Sequence, residues 1–382
     1  MRAASLGPAS ATLVIGEVEC KTVRDENFAV VRRACEVRDE FMRGNFDFAS
    51  LAGGGGKGGD VMGRSRCAGY FVKTLNATDG SSLLRDEFLK DYVSRATCGQ
   101  SFLAKIFAVV EHPELGRFVV MGNCVNPRVK SWSRLYDLKG TADDKTLVAD
   151  GLSIVQAHKR FYRVNLFIRE CFGCVRELPL DRQRYLNGKR EAYDVPIYVT
   201  KEQREEILSS IKNDTALFEK HNLMDYSMIV GIQRVAPGKL SEATKPREGD
   251  VHGKPYVVHY KGETVVLYFG IIDFLQPWTG GKKVAHVIKK CFAPSPISTV
   301  NPKKYSAQFN DFFEYKLKGV AFEHQEESVA SLKEEVLRLS KIIAAANKTS
   351  SIESPTSRPT SPTFFDRLRS VTGVIVTVEE EE

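Results

Sequence analysis

Two aspartates sit at the ends of the most apolar stretches of this chain, and they restrict how it can fold. Asp273 closes the run YFGIID, in which five apolar or small residues end in a carboxylate, and Asp225 directly precedes the apolar run YSMIV. A carboxylate at the end of a buried strand costs free energy unless it meets a cation or hydrogen-bond donors. Each strand should therefore deliver its aspartate to the edge of the core, where a metal ion or a lysine can reach it.

Length and hydropathy bound the architecture. The chain has 382 residues, which suits one large two-lobed domain or two domains. No uninterrupted apolar run approaches the ~18–20 residues needed to span a bilayer, so any membrane contact is predicted to be peripheral. Eight cysteines are present, but only Cys171 and Cys174 form a Cys-x-x-Cys, with no second pair at zinc-site spacing. Reduced thiols in a cytosolic compartment are favoured over a metal or redox site.

Periodicity predicts strands early in the chain and helices late. The first half should contain two helices and three strands, the helices near 27–43 and over 86–93, the strands over 70–75, 104–110 and 117–122. In the second half, Thr200 and Gln203 form a capping-box pattern that begins a helix. Further strands are predicted over 226–232, 255–260 and 264–272, with an exposed loop over 236–254. This order predicts an α+β fold.

A glycine-rich run, GGGGKGGDVMG, precedes the strand that carries a lone lysine, Lys73. Glycines let backbone N–H groups approach phosphate oxygens closely. A Walker A loop is excluded, because Gly56-Lys57 is followed by Gly58 where Ser or Thr is required. Taken singly, the run resembles a flexible linker and Lys73 a solvent-facing lysine. The order of glycine loop, lysine, helical Glu87 and two aspartates, however, matches the plan of a kinase ATP site.

At these residues the sequence resembles the phosphatidylinositol phosphate kinase family. The resemblance spans about residues 28–320, whereas the H-R-D, D-F-G and A-P-E motifs of protein kinases are absent from the sequence. It is carried by the segments FVKT around Lys73, RDEFL around Glu87, FVVMGN (118–123), YDLKGT (136–141), MDYSMIVGI (224–232), GIIDFLQ (270–276), GKKVAHVIKK (281–290) and ISTVNPKKYSAQF (297–309).

The resemblance implies a two-lobed kinase-like fold with antiparallel sheets and an ATP cleft between the lobes. It also implies that matching residues bind ATP and Mg²⁺. Lys73 would bind the phosphates with Glu87 as its partner, and Gly56 and Gly58 would lie in the phosphate loop. The backbone of Met121 to Asn123 would contact adenine, and Asp273 would bind magnesium. For catalysis it implies Asp225 in the place of the catalytic aspartate, with Lys139 against the phosphates and Asp137 in support.

Two substitutions depart from the family pattern. Thr141 replaces the usual Ser after DLKG and keeps the hydroxyl, and Lys145 replaces an Arg, which removes a planar two-pronged donor. The stretch before Lys73 is also unusually rich in glycine. A catalytically inactive scaffold that binds phosphoinositide therefore stands as the alternative to an active kinase. The N-terminal region is short, so the oligomeric state is left open.

Lysines concentrate between residues 274 and 304, a segment with no Asp or Glu. Within it Val284, Val287, Ile288 and Cys291 follow the helical apolar template. A basic amphipathic helix of this kind binds an anionic membrane surface, with about 1 kcal/mol from each lysine. The alternative is a solvated loop packed on its own domain. The residues assigned to the lipid and membrane are Lys282, Lys283, Ala285, Lys289, Lys290, Lys303 and Lys304.

In the family this segment also selects the lipid. Ala285 stands where many members that use phosphatidylinositol 4-phosphate have an acidic residue, and KKVAH is more similar to members that phosphorylate phosphatidylinositol 5-phosphate. Both routes yield phosphatidylinositol 4,5-bisphosphate, so the product is predicted and the substrate isomer stays open. A nucleic-acid partner is disfavoured, because the lysines accompany no recognised nucleic-acid motif.

The predicted organisation has four parts. Residues 1–20 form an N-terminal extension, and 21–322 form the catalytic domain, with an N-lobe over about 21–123 and a C-lobe over about 124–322. A helix follows over 323–347, and a Ser/Thr/Pro-rich, acid-ended tail over 348–382 is expected to be disordered. The resemblance implies a cytoplasmic protein, peripheral on the cytosolic face of membranes, with the plasma membrane favoured.

Overall fold

The computed structural model describes residues 9–53, 60–156, 179–236, 238–247, 250–282 and 298–320. They form an α+β fold with two antiparallel sheets. The first sheet has seven strands in the order β1-β2-β6-β7-β5-β4-β3. Its strands are β1 (Thr12–Ile15), β2 (Val18–Thr22), β3 (Ala52–Gly53), β4 (Val61–Arg64), β5 (Tyr70–Thr74), β6 (Ile106–His112) and β7 (Gly116–Gly122).

The second sheet has six strands in the order β10-β9-β8-β12-β14-β13, and β11 and β15 form a separate parallel pair. The strands are β8 (Arg134–Leu138), β9 (Lys145–Ala149), β10 (Leu152–Ser153), β11 (Ile197–Thr200), β12 (Ser227–Val235), β13 (Tyr256–Tyr260), β14 (Glu263–Ile272) and β15 (Leu317–Val320). The longest strands, β12 and β14, lie side by side and antiparallel in its interior.

Seven α-helices pack on these sheets within the described part of the chain. They are α1 (Asp25–Ala34), α2 (Ala77–Leu83), α3 (Asp86–Ala96), α4 (Leu180–Asp194), α5 (Lys201–Lys220), α6 (Leu240–Thr244) and α7 (Pro302–Lys316). The start of α5 shows the predicted capping box, in which Thr200 accepts from the Gln203 amide and Gln203 accepts from the Thr200 amide.

The predicted strands are confirmed with shifted ends, and three other predictions need correction. The first helix ends at Ala34 rather than near 43, because Glu36 adopts a φ of +56° that a helix does not accommodate. Part of the predicted N-terminal extension belongs to the first sheet, since β1 pairs with β2 from Thr12 opposite Lys21. The exposed loop predicted over 236–254 contains the short helix α6. The helix predicted over 323–347 lies outside the described residues.

Residues 102–104 join the two sheets. The Ala104 amide donates to the Ile271 carbonyl at 2.9 Å, and the Ile271 amide donates to the Phe102 carbonyl at 2.6 Å. Asp214 on α5 supports this junction, because its carboxylate accepts from the Phe102 amide at 2.8 Å and from Arg95 on α3 at 2.6 Å. The end of β14 is therefore tied to both lobes through backbone and side-chain bonds.

A buried ion pair fixes α1 on the first sheet. Arg32 and Asp25 are 1% and 3% exposed and form a two-pronged pair at 2.7 and 2.8 Å. The guanidinium also donates to the Phe107 carbonyl at 2.7 Å and to Asp39 at 2.8 Å. Every charge in this network has a partner, which is the condition under which buried ions are tolerated.

Removing one partner of this pair should destabilise the chain strongly. Asp25→Ala leaves the Arg32 guanidinium buried without its main counter-ion, and we expect a loss of about 3–5 kcal/mol in the free energy of unfolding. Chemical denaturation measures this loss, with Lys90→Ala on the exposed face of α3 as the control. An Asp25→Ala protein as stable as the Lys90→Ala control would contradict the role assigned to the pair.

Candidate active site

The pairing of β12 with β14 brings the two aspartates together. Ser227 lies opposite Ile272, so Asp225 precedes one strand and Asp273 follows the other at the same end of the pair. Both aspartates have positive φ angles, +67° and +56°. Residues other than glycine adopt this left-handed conformation rarely, although Asp tolerates it better than most. Such backbone strain is concentrated at functional sites.

An aromatic residue follows each aspartate and anchors it. Tyr226 and Phe274 both pack on Phe218 of α5, with ring centroids 4.5 and 5.3 Å apart. Phe274 also stacks on Tyr92 of α3 at 5.8 Å. All four rings are buried. One cluster of buried rings therefore packs against both strained strand ends. Two of its rings come from the helices α3 and α5.

Lys73 reaches Asp273 from the other sheet. Its Nζ lies 3.3 Å from Asp273 Oδ1, although the two residues are 200 positions apart. Burial would lower the pKa of Lys73, but Asp273, with Asp79 and Asp60 farther off, raises it overall. The ammonium is therefore fully charged at neutral pH. Lys73 also pairs with Met62 of β4, so the strand that leaves the glycine-rich run lies directly beside it.

The predicted ion pair between Lys73 and Glu87 is wrong. Glu87 is exposed at the start of α3, and within the described residues Lys73 forms its ion pair with Asp273. The helical acid near Lys73 is instead Asp79 on α2, whose pKa is raised by burial. No sequence pattern indicated this role, because Asp79 stands three residues after the capping residue Asn76, a position typical of a helix start.

Lys139 forms the second lysine–aspartate pair. Its Nζ donates to Asp225 Oδ1 at 2.7 Å and to the Asp225 carbonyl, also at 2.7 Å, so it holds both the side chain and the strained backbone. Burial lowers the pKa of Lys139, but the carboxylates of Asp225, Asp137 and Asp273 together raise it. Because Asp273 also acts on Lys139, the two ion pairs, Lys73 with Asp273 and Lys139 with Asp225, interact electrostatically with each other.

Asp137 lies behind Lys139 and is incompletely satisfied. Its Oδ2 accepts from Lys145 at 2.8 Å, while its buried Oδ1 has no hydrogen-bond partner in the described structure. The Oγ of Ser227 is close enough to contribute to the lowered pKa of Asp137, but it too completes no hydrogen bond.

Asp144 organises the loop that carries Lys139, and the sequence did not single it out. It is 1% exposed, and its Oδ1 accepts from the amides of Lys139 at 2.5 Å and Thr141 at 3.3 Å. Burial raises its pKa from 3.8 to about 7. Gly140 has a φ of +68°, and a Cβ there would lie 2.7 Å from the Phe312 side chain, so the loop requires glycine at this position.

The stability of the chain should fall as Asp144 ionises. The folded state holds this carboxyl neutral up to about pH 7, whereas the unfolded chain ionises it near 3.8. Among the charges that interact with Asp144, Lys189 lowers its pKa and Asp137 raises it, and Lys316 on α7 also faces it. The contribution of the Asp144 carboxyl to the free energy of unfolding is therefore fully favourable below about pH 4 and is lost as the pH rises through 7. Asp144→Asn keeps an acceptor for both amides without the charge.

We expect Asp144→Asn to exceed the wild type in free energy of unfolding by up to about 4 kcal/mol at pH 8, and to match it near pH 4. Denaturation at several pH values measures the difference. Asp311→Asn, on the exposed face of α7, serves as the control and should leave the pH dependence unchanged. A wild-type and Asp144→Asn difference that does not vary with pH would refute the role of this carboxyl.

The predicted adenine contacts are only partly available. The Asn123 amide already donates to the Gly69 carbonyl at 2.8 Å, and the Gly122 amide donates to the Lys105 carbonyl at 2.8 Å. The Asn123 side chain is 6% exposed and donates to the Ala68 carbonyl. These two N–H groups are already engaged within the chain, so an adenine contact through the backbone of Met121 to Asn123, which also carries carbonyls, stays a prediction.

Several predicted residues are not members of the two lysine–aspartate pairs or fall outside the described residues. Lys303 and Lys304 are exposed in the first turn of α7, and Lys282 is half-buried. No helix in the described residues combines the length and apolarity needed to cross a membrane. The residues outside the described ranges are Gly56, Gly58, Lys283, Ala285, Lys289 and Lys290, with Cys171 and Cys174.

The donors present fit magnesium bound together with phosphates. No group of three His, Cys, Asp or Glu converges on a metal position within the described ranges. Magnesium in phosphoryl-transfer sites usually binds through one or two carboxylates and the phosphates themselves, so a complete protein cage is not required. The side chains of Asp273 and Asp225 are 56% and 28% exposed, which leaves both accessible. Two charged lysines beside them suit a polyphosphate.

Comparison with known proteins matches this chain to one family. The family model described as Phosphatidylinositol-4-phosphate 5-Kinase matches residues 48–316. Phosphatidylinositol 4-phosphate 5-kinase 3 of Arabidopsis thaliana is 26% identical over 282 residues, which cover 67% of this chain and 39% of the relative. Phosphatidylinositol 5-phosphate 4-kinase type-2 gamma of Danio rerio is 26% identical over 185 residues, covering 36% of this chain and 44% of the relative.

A third relative differs in the substrate that its name states. The 1-phosphatidylinositol 3-phosphate 5-kinase FAB1 of Saccharomyces cerevisiae is 21% identical over 316 residues, covering 78% of this chain and 11% of the relative. The chain thus spans less than half the length of these relatives. The similarity covers every residue of the two lysine–aspartate pairs, because all four lie within the family match.

Proposed function

The chain belongs to the phosphatidylinositol-4-phosphate 5-kinase family, and from that premise we propose that it transfers the γ-phosphate of ATP to a phosphatidylinositol monophosphate. The proposed product is phosphatidylinositol 4,5-bisphosphate. The observation that carries the proposal is the convergence of two lysine–aspartate pairs, Lys73 with Asp273 and Lys139 with Asp225, at one end of the β12–β14 pair.

Phosphoryl transfer depends on positioning and on neutralising charge, and the site supplies groups for both. Lys73 and Lys139 are the cations that would neutralise the phosphates, and both are charged at neutral pH because nearby carboxylates raise their pKa values. Asp273 would hold the magnesium that accompanies ATP. Asp225 would accept the proton of the attacking inositol hydroxyl. Asp137, buried behind Lys139, would support the lysine without touching substrate.

The glycine-rich run fits a phosphate-covering loop. It joins β3 to β4, which pair antiparallel at Ala52 opposite Met62, and Met62 in turn lies opposite Lys73. This hairpin ends beside the strand that carries the phosphate-binding lysine, as the glycine loop of a kinase does. We therefore include Gly56 and Gly58 among the residues proposed to contact ATP.

Membrane contact is proposed through the lysine-rich segment. Lys303 and Lys304 are exposed at the start of α7, and Lys282 follows the Asp273 strand by nine positions. Lysines near an anionic surface contribute about 1 kcal/mol each, and salt screens the attraction. The proposed location is the cytosolic face of a membrane, with the plasma membrane favoured, and attachment there is peripheral.

The substrate isomer is the finer part of the proposal. Relatives are named for the 4-phosphate and for the 5-phosphate, and one is named for the 3-phosphate. Incubation of the full chain with vesicles containing each monophosphate, ATP and Mg²⁺, followed by lipid extraction, identifies the substrate. We expect phosphatidylinositol 4,5-bisphosphate from the 4-phosphate or the 5-phosphate. Formation of a 3,5-bisphosphate alone would overturn this assignment.

Neutralising either charge of the Lys73–Asp273 pair should abolish turnover. Lys73→Met removes the phosphate-binding cation, and Asp273→Asn removes the proposed metal ligand while keeping a residue that tolerates positive φ. We expect each to lower kcat at least ~100-fold, the effect of deleting one transition-state contact. Lipid phosphorylation measures the loss, and thermal melting checks the fold. Lys245→Gln, a distant exposed lysine, is the control. Retained activity in either site variant would remove the mechanism.

A further inference from the structure

A second polar cavity lies at the far end of β12. It has a volume of about 240 Å³ and is formed by β12, the segment after β7 and the segment around α6. Gln233, one of its lining residues, is eight positions along β12 from Asp225, or about 25 Å at the usual rise of a strand. The residues that the argument uses are Arg128, Gln233, Arg234, Lys239, Glu242 and Arg247.

The lining of this cavity carries four cations and one carboxylate. Arg128 is fixed by a two-pronged pair with Asp250, which is one of the causes that raise its pKa. The Arg247 amide donates to the same Asp250 carboxylate at 2.9 Å, so its backbone is held at the rim. Within the described residues the Arg247 guanidinium has neither an ion pair nor a hydrogen bond.

The other two cations are only loosely engaged. Lys239 lies 3.5 Å from Glu242, and both side chains are more than 65% exposed. Arg234 lies 3.3 Å from Glu263 and 3.9 Å from Asp150, again at the surface. Exposed pairs of this kind contribute little and are easily exchanged for a better partner. The cavity therefore offers several guanidinium and ammonium donors to an incoming anion.

The cavity also contains an acceptor that lacks a donor. Gln233 Oε1 is buried and has no hydrogen-bond partner in the described structure. A buried amide oxygen in this state costs free energy that a ligand hydroxyl would recover. An anion without a hydroxyl, such as sulfate, offers acceptors to the cations but no donor to this oxygen. A ligand with both a phosphate and a neighbouring hydroxyl satisfies both features of the cavity.

The volume restricts the size of that ligand. At about 240 Å³, the cavity is smaller than the ~300–1,000 Å³ of pockets for drug-sized ligands. A single phosphorylated ring or short polyol fits the space.

We propose that this cavity is a second anion site that binds a phosphate monoester of a small polyol, of which an inositol phosphate is the chemical type. Arg128 and Arg247 bind the phosphate, in part because guanidinium groups match phosphate oxygens geometrically, and Gln233 accepts a hydroxyl. The ligand comes either from a lipid headgroup or from a soluble inositol phosphate. The site is separate from the ATP-binding residues and does not require the chain to be active.

Calorimetric titration of the full chain with inositol 1,4-bisphosphate tests the site. We expect Arg247→Gln to weaken binding about tenfold, the effect of losing one charge-assisted hydrogen bond, and Arg247→Lys to recover part of it. Lys245→Gln is the matched control, because it removes the same charge two residues away outside the cavity lining. Lys73→Met should retain this binding, which separates the second site from the proposed ATP site.

Two further arms define the ligand. Sulfate, which has no hydroxyl at neutral pH, should bind more weakly than the inositol phosphate, and equal affinity would overturn the role of the hydroxyl. Sedimentation with vesicles containing phosphatidylinositol 4-phosphate compares the lipid source. Loss of vesicle binding in Arg247→Gln would support the site with a lipid headgroup as ligand, and loss of soluble binding alone would support it with a soluble ligand. Undiminished binding of both by Arg247→Gln would refute the site.

Discussion

The antiparallel pairing of β12 with β14 is the constraint on which the rest of the site depends. It places Asp225 and Asp273 at the same end of two buried strands, where each would be an isolated charge without a cation nearby. Lys139 comes from the neighbouring strand β8 and meets Asp225, while Lys73 comes from the other sheet and meets Asp273. The strand pairing thus places the two carboxylates together and the ion pairs neutralise them. One of the ion pairs, Lys73 with Asp273, joins the two sheets.

Packing of the aromatic residues that follow Asp225 and Asp273 fixes the strained backbone at both aspartates. Tyr226 and Phe274 follow the aspartates and share Phe218 as a common neighbour, so a shift of α5 would move both strand ends together. Lys139 adds a bond to the Asp225 carbonyl, which fixes the residue whose φ is +67°. Rigid positioning of charged groups before substrate arrives is the property that phosphoryl transfer requires.

Much of the fold could be predicted from the sequence because the signals are local. The alternation in the strands and the Thr200–Gln203 capping box depend on residues a few positions apart, and all appear in the structure. The resemblance to a kinase family assigned Lys73 and Asp273 to one site, and their side chains lie 3.3 Å apart although the residues are 200 positions apart. The partner of Lys73 was wrong, because Asp79 and Glu87 both lie on helices after β5 and only the packing of α2 decides between them.

Other features depend on burial, which no local pattern encodes. Burial beside the loop around Gly140 raises the pKa of Asp144 to about 7. The Asn123 amide already donates to the Gly69 carbonyl. The second cavity forms where Arg128 and Arg247, 119 positions apart, are joined by Asp250. Each of these features arises from contacts between segments that are distant in sequence, so no local pattern predicts it.

Manganese binding measured by electron paramagnetic resonance addresses the cluster most directly, because Mn²⁺ shares the oxygen ligands and octahedral geometry of Mg²⁺. If the two lysine–aspartate pairs form one metal–polyphosphate site, the wild-type chain binds Mn²⁺ tightly only when ATP is present. Asp273→Asn then loses that ATP-dependent signal, and Lys245→Gln keeps it. Equal ATP-dependent binding of Mn²⁺ by Asp273→Asn and the wild type would show that the metal is held elsewhere.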